Sequence, residues 1–351
     1  MQQTHTNNDN QPDANTTGAS EEHNPVIEVQ NLSTCFDIDE GELRAVDEVS
    51  FTINRGEVLG VLGESGCGKS VTGHSIMRLI QKPGRSDGRI LWHHQDGSVE
   101  DLLKLKASGK RMRSIRGGEI SMVFQEPMTS LSPMHTVRKH MHEALMLHVP
   151  GITKKEADER AIETLKLVGI PDPPATMEKY AHQLSGGLRQ RSMIAIALCT
   201  SPSLLIADEP TTALDVTVQA QILQLLKGLQ SRLGLSVMYI THSLPVIAEM
   251  SDRVAVMYLG RIVETGEMSE VFENPYHPYT QGLMRAIPRL DRESGTRLET
   301  IKGTVPTPLD MAPMCGFCSR CPEFMAGTCD TTIPQLREVE KDHFVRCFLY
   351  E

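Results

Sequence analysis

Eight consecutive residues constrain this chain more than anything else in it. Gly63-Glu64-Ser65-Gly66-Cys67-Gly68-Lys69-Ser70 fits G-x-x-x-x-G-K-[ST] without a mismatch. The run follows Val58-Leu59-Gly60-Val61-Leu62, the pattern of a buried parallel strand, and opens the helical stretch Ser70 to Ile80. Strand, glycine turn and helix in that order predict an α/β fold built on a parallel sheet. Glycines let successive backbone N–H groups curl around phosphate oxygens, and the helix N-terminus adds its positive end. Lys69 would reach the β- and γ-phosphates and Ser70 would ligand Mg²⁺, so the candidate nucleotide contacts run from Gly63 to Val71. The four fixed positions arise by chance in a chain this long on the order of once in a hundred. Cys67 occupies a variable position and reads as a passenger.

A phosphate loop alone does not separate kinases, GTPases, helicases and transport ATPases. Leu204-Leu205-Ile206-Ala207-Asp208-Glu209 is an apolar strand ending in two adjacent carboxylates. Asp208 is placed to hold the Mg²⁺ shell, and Glu209 to polarise an attacking water as general base. Carboxylates at a strand end are commonly just solvated. Beside an intact phosphate loop they read as its catalytic half.

Around this pair the chain divides into parts. Met1 to about Pro25 is Gln/Asn/Thr-rich without an apolar h-region, which predicts a disordered polar tail over residues 1–25 and no secretory signal. Val26-Ile27-Glu28-Val29 and Val49-Ser50-Phe51-Thr52-Ile53 read as antiparallel edge strands, and residues 90–120 as polar and irregular. Ile120 to Phe124, Leu204 to Ala207 and Ser236 to Ile240 continue the parallel sheet, with helical pattern from Val137 to about Thr200 between its second and third strands. Leu259-Gly260 marks a hairpin. Beyond Phe272 the chain turns Pro-, Cys- and Met-rich, the mark of a separate C-terminal appendage. No run of about 18 apolar residues occurs, so no membrane span is expected. A net charge of −10 argues against a protein that coats nucleic acid.

Further motifs give the parts a family. Leu184-Ser185-Gly186-Gly187, followed by Leu188-Arg189-Gln190-Arg191, resembles the signature of ABC-type ATPases and stands about twenty residues ahead of Asp208-Glu209. Gln125 matches that family's Q-loop glutamine, Ala213-Leu214-Asp215 its D-loop, and His242 its switch histidine. Phe36 falls where the family stacks an aromatic ring on adenine. The resemblance covers about residues 26–270. It implies a P-loop NTPase (RecA-like) core with an antiparallel β subdomain and a helical insertion at about 126–200, together the nucleotide-binding domain over 26–272. It also implies ATP sandwiched between two such domains, Ser185, Gly186 and Gly187 of one facing the γ-phosphate held by the other, with Asp215 across the interface. Gln125 would sense Mg²⁺ and the catalytic water, and His242 the γ-phosphate. One chain carries one such domain, so it must pair, with itself or a paralogue. A soluble ABC ATPase acting on DNA or ribosomes is the competing reading, but tandem nucleotide domains, a long coiled coil and a basic tail are all missing.

The branch is suggested by Phe124 to Pro133, by Leu214-Asp215-Val216-Thr217-Val218-Gln219, and by Asn274-Pro275-Tyr276-His277-Pro278-Tyr279-Thr280 leading to Ala286-Ile287-Pro288. All resemble ATPases of oligopeptide/dipeptide importers. The resemblance implies a peripheral subunit at the cytoplasmic face of the plasma membrane, docked on permease subunits and served indirectly by a substrate-binding protein. Related systems carry nickel or glutathione.

Five of eight cysteines crowd into residues 273–351: Cys315, Cys318, Cys321, Cys329 and Cys347. In peptide-importer ATPases a four-cysteine set in this tail can hold a [4Fe-4S] cluster, and Cys315, Cys321, Cys329 and Cys347 match it by position. Cys318 is extra, and it creates C-x₂-C-x₂-C, which residue spacing alone reads as three cluster ligands. The choice of four therefore stays open, as do a tetrahedral zinc site and a reduced tail without metal. Disulfides are not expected in a reducing compartment. Metal loss is expected to loosen the tail without abolishing nucleotide binding.

Overall fold

The computed structural model describes residues 24–125, 130–212, 214–287 and 300–351. The expected disordered tail lies almost wholly outside these, as do residues 126–129, Ala213 and Pro288 of the motifs above.

Strands β1 (Pro25–Ile38) and β2 (Gly41–Asn54) form a long antiparallel ribbon, and both reach well beyond the short segments expected of them. After β3 (Val58–Leu62) the chain turns through the glycine loop into α1 (Lys69–Ile76). The polar stretch that follows is not irregular. It forms β4 (Gly84–His93), β5 (Val99–Asp101) and α2 (Lys110–Ile115). Its polarity is that of a half-exposed sheet: Ile90 and Trp92 point inward while Arg89 and Leu91 alternate outward.

Next come β6 (Ile120–Val123) and the helices α3 (Val137–His148), α4 (Lys154–Leu167), α5 (Pro173–Met177) and α6 (Gly186–Leu198). The expected insertion between the second and third parallel strands is thus present. Thr153 and Glu156 close a capping box that starts α4. The core resumes with β7 (Leu204–Asp208), α7 (Val216–Leu233), β8 (Ser236–Thr241), α8 (Leu244–Met250), β9 (Arg253–Tyr258) and β10 (Arg261–Glu267).

Residue parity along the parallel strands builds two cores. Val58, Leu205, Ala207, Val237, Tyr239 and Val254 share a core with the helical insertion, α7 and α8, whereas Leu59, Val61, Leu204, Ile206, Met238 and Ala255 face α1 and the antiparallel ribbon. That is why these strands are apolar without alternation. Both faces are covered.

The C-terminal part contributes α9 (Met268–Glu273), α10 (Pro278–Arg285), β11 (Arg337–Glu340) and β12 (His343–Val345). It is not a separate appendage. The main sheet runs β11-β12-β10-β9-β3-β8-β7-β6, so the end of the chain extends the sheet begun by the phosphate-loop strand. Arg44 N–H donates to Pro308 C=O at 2.9 Å and Asp310 N–H to Glu42 C=O at 3.1 Å, tying the same segment to β2.

One buried network anchors it. Glu264 on β10, fully buried, accepts from Tyr276 N–H at 2.7 Å, His277 N–H at 3.0 Å and His343 Nε2 at 2.9 Å. His277 Nδ1 in turn accepts from Tyr279 N–H, and burial holds this imidazole down to about 3. A folded state that refuses a proton which the unfolded chain takes up is destabilised as pH falls below the unfolded value. Stability should therefore drop by about 1.4 kcal/mol per pH unit below about 6.5. Urea midpoints from pH 7 to pH 5 would show it, with a shallower pH slope in His277→Asn.

Candidate nucleotide site

The phosphate loop keeps its shape because side chains are missing where backbone must pass. A Cβ on Gly63 would lie 2.3 Å from Met257 O, and one on Gly68 would lie 2.2 Å from Ala45 O. Gly68 also has φ +98°, a left-handed value that starts α1 and turns the first N–H groups toward the loop. Lys69 is buried, its Nζ donating to Gly63 O at 2.7 Å and Glu64 O at 2.9 Å. Cys67 is enclosed beneath the loop, where burial pushes its thiol up. Val71 packs on the core behind α1.

The carboxylate pair meets this loop as expected. Ser70 Oγ donates to Asp208 Oδ1 at 2.9 Å, bringing together the two side chains assigned to Mg²⁺. Asp208 is buried, and that burial raises its pKa. These two oxygens are the hard donors a magnesium ion takes.

Glu209 is the centre of a second constellation. Its backbone has φ +43°, a strained value for a non-glycine residue, held by its N–H bond to Ile240 C=O. Its carboxylate accepts from Gln125 Nε2 at 3.1 Å and Thr212 Oγ1 at 2.8 Å, and His242 Nδ1 lies 3.0 Å away. Burial alone would raise its pKa, but the bonds to His242 and Thr212 outweigh it and leave Glu209 below the ordinary glutamate value. Gln125, Glu209 and His242, scattered through the sequence, thus converge on one carboxylate. Thr212 was missed. A threonine three residues after the glutamate carries no periodic signal, and only the turn that folds it back reveals the bond.

Other predicted residues sit elsewhere. Ser185 caps α6, accepting from Leu188 N–H, and Gly186 and Gly187 form the helix's exposed first turn. A Cβ on Gly187 would touch Val218 and one on Gly186 would touch Leu214, so this turn lies against the start of α7, which Asp215 caps through Val218 N–H. Val216, 83% exposed, stands beside them. Phe36 is on β1, half-buried, with its ring over Gly84.

The tail cysteines come together from three segments. Cys315 N–H donates to Cys329 C=O at 2.9 Å, Cys321 has Cys347 and Cys329 as charge neighbours, and Cys347 has Cys315 and Cys329. Burial pushes Cys315, Cys321 and Cys347 up to about 11. Cys318 Sγ lies 3.7 Å from Met314 Sδ, and Cys315 and Cys329 are its charge neighbours too. Among the described residues no three cysteine sulfurs approach one another within 4.8 Å; the set that does approach so closely is His135, His140 and Glu143. No helix of the described residues is long and apolar enough to cross a membrane.

Comparisons with known proteins agree with this geometry. A family profile described as "ABC transporter" matches residues 46–212, and one described as "Oligopeptide/dipeptide transporter, C-terminal region" matches residues 263–329. The oligopeptide transport ATP-binding protein AppD of Bacillus subtilis is 48% identical over 328 residues, 93% of this chain and 97% of the relative. The dipeptide transport ATP-binding protein DppD of the same organism is 47% identical, over 93% of this chain and 95% of the relative. Among solved structures, the dimeric post-hydrolysis state of the ATP-binding cassette MJ0796 with ADP and Pi is similar at TM-score 0.60 and 27% identity, covering 69% of this chain and 98% of that one. By its phosphate loop, its carboxylate pair and relatives matched over nearly their whole length, this chain belongs to the ATP-hydrolysing subunits of ABC transporters, in the oligopeptide/dipeptide branch.

Proposed function

We propose that this subunit powers import of oligopeptides or dipeptides through membrane permease subunits, working as a peripheral protein at the cytoplasmic face of the plasma membrane. The observation that carries the reading is Glu209, gripped by Gln125, Thr212 and His242 a residue beyond the Ser70–Asp208 pair. In this reading Gly63 to Val71 cradle the phosphates, with Lys69 moving from its two loop carbonyls onto the β- and γ-phosphates. Ser70 and Asp208 hold Mg²⁺, with Gln125 in its outer reach; bound there, the ion would neutralise charge on the phosphates. Glu209 accepts the proton of the attacking water, and His242 steadies both Glu209 and the γ-phosphate. Phe36 is assigned to the adenine ring.

The exposed first turn of α6 supports pairing. Ser185, Gly186 and Gly187 present helix N-terminal N–H groups outward beside Asp215, a ready anion site for the ATP of a second ATPase subunit, identical or paralogous. ATP then favours the closed pair by binding it better than the open one, and hydrolysis reopens it. The reading is tested by reconstituting the chain with its permease and a peptide-loaded binding protein. ATP turnover that ignores peptide would sink the assignment of cargo.

The tail cysteines are assigned to a structural [4Fe-4S] cluster on Cys315, Cys321, Cys329 and Cys347. Their convergence from three segments supports this, with Cys315 N–H bonded to Cys329 C=O and Cys347 near both. Cys318, which lies 3.7 Å from Met314 Sδ, is left out because the family's four positions are matched without it. Anaerobically purified protein should contain iron and acid-labile sulfide in equal amounts, lost in Cys347→Ser and kept in Cys318→Ser. A single equivalent of zinc would overturn the assignment.

A further inference from the structure

The C-terminal part reaches the nucleotide site itself, and it does so at one residue. Glu64, the second position of the phosphate loop, is held at three points. Its C=O accepts Lys69 Nζ at 2.9 Å, within the loop. Its backbone N–H donates to Tyr279 Oη at 2.9 Å, and its carboxylate receives Arg320, Nη1 to Oε2 at 2.7 Å and Nη2 to Oε1 at 3.1 Å. Two of the three holds come from beyond residue 272.

Arg320 is built for this place. Its side chain is 4% exposed against 31% for Glu64. Besides the fork to Glu64, Nε donates to Lys302 O at 2.9 Å, Nη2 to Gly303 O at 3.2 Å and Nη1 to Tyr258 Oη at 3.3 Å. All the guanidinium's N–H directions are thereby used, and its Cζ lies 5.7 Å from the Tyr258 ring centroid. Tyr258 and Tyr279 pack at 4.7 Å, and Phe317 closes on both. A buried, fully bonded arginine cannot follow a mobile partner. It fixes what it binds.

We infer that Arg320 and Tyr279 are positioning residues for nucleotide binding: they fix Glu64, and through it the loop carbonyls from which Lys69 is delivered to the phosphates. The C-terminal part therefore contributes to ATP affinity in addition to closing the sheet. Lysine would keep the charge at 320 but lose the fork and two of the five donors. This inference rests on the phosphate loop being the ATP site, and its test needs neither permease nor peptide, so its failure is separable from failure of the transport reading.

The test is a double-mutant cycle on Mg–ATP affinity, measured by calorimetry in a Glu209→Gln background to prevent turnover. Arg320→Met and Glu64→Gln should each weaken binding about tenfold, and the pair together no more than either alone. Arg320→Lys should recover only part of the loss. With Glu209 restored, KM for ATP should rise more than kcat falls. Glu64→Gln, near-isosteric on a partly exposed side chain, should fold even if Arg320→Met does not. Unchanged affinity in Glu64→Gln, or additive losses in the cycle, would show that Arg320 serves the tail's stability alone.

Discussion

Glu209→Gln should bind Mg–ATP as tightly as the parent chain while its steady-state turnover falls by roughly 10²–10³-fold. The change is near-isosteric, so the strained backbone at φ +43° and the bond from its N–H to Ile240 C=O survive. What disappears is the negative acceptor. The native carboxylate takes bonds from Gln125, Thr212 and His242 on two oxygens, whereas an amide offers one oxygen and turns an NH₂ toward groups that donate. An attacking water would then lose the carboxylate that takes its proton. The measurement is ATP turnover after reconstitution with the membrane subunits, alongside calorimetric ATP binding on the same preparation. Turnover that survives would mean the working site belongs to a paralogous partner.

The second large effect is on stability. Glu264→Leu should destabilise the docked C-terminal part by about 3–5 kcal/mol, because it strands buried donors. Tyr276 N–H, His277 N–H and His343 Nε2 all converge on this carboxylate, at a site where both Glu264 and His343 are fully buried. Unfolding in urea, followed together with limited proteolysis beyond residue 272, would locate the loss, and a change below about 1 kcal/mol would mean the network is dispensable. Since α10 carries Tyr279 to the phosphate loop, the same variant should also bind ATP more weakly.

The nucleotide-binding core was legible because its information is local. A phosphate loop is a contiguous turn between a strand and a helix, and buried parallel strands announce themselves as short apolar runs. Even Gln125 and His242 could be found, since each follows the end of a predicted strand and the resemblance supplied their order. Thr212 could not be found this way, and the polar stretch at residues 90–120 was misread, because a half-exposed sheet with charged outer positions resembles a loop when its pairing partner is unknown.

The cysteines show the boundary sharply. Spacing alone set Cys318 beside Cys315 and Cys321 as an equal candidate. The fold gathers all five cysteines from three segments, Cys318 included, with its sulfur also 3.7 Å from Met314 Sδ.

The sequence by itself therefore determined the chemistry of the ATP site and the order of the core's elements, since those follow from residue types at short, fixed spacings. The tertiary structure alone decided that the C-terminal part belongs to that core. Arg320 meets Glu64 across 256 residues and His343 meets Glu264 across 79, single polar contacts with no periodicity to betray them. A lone arginine or histidine carries no sign of its partner. The partner is chosen when burial forces each charge and each donor to find an acceptor.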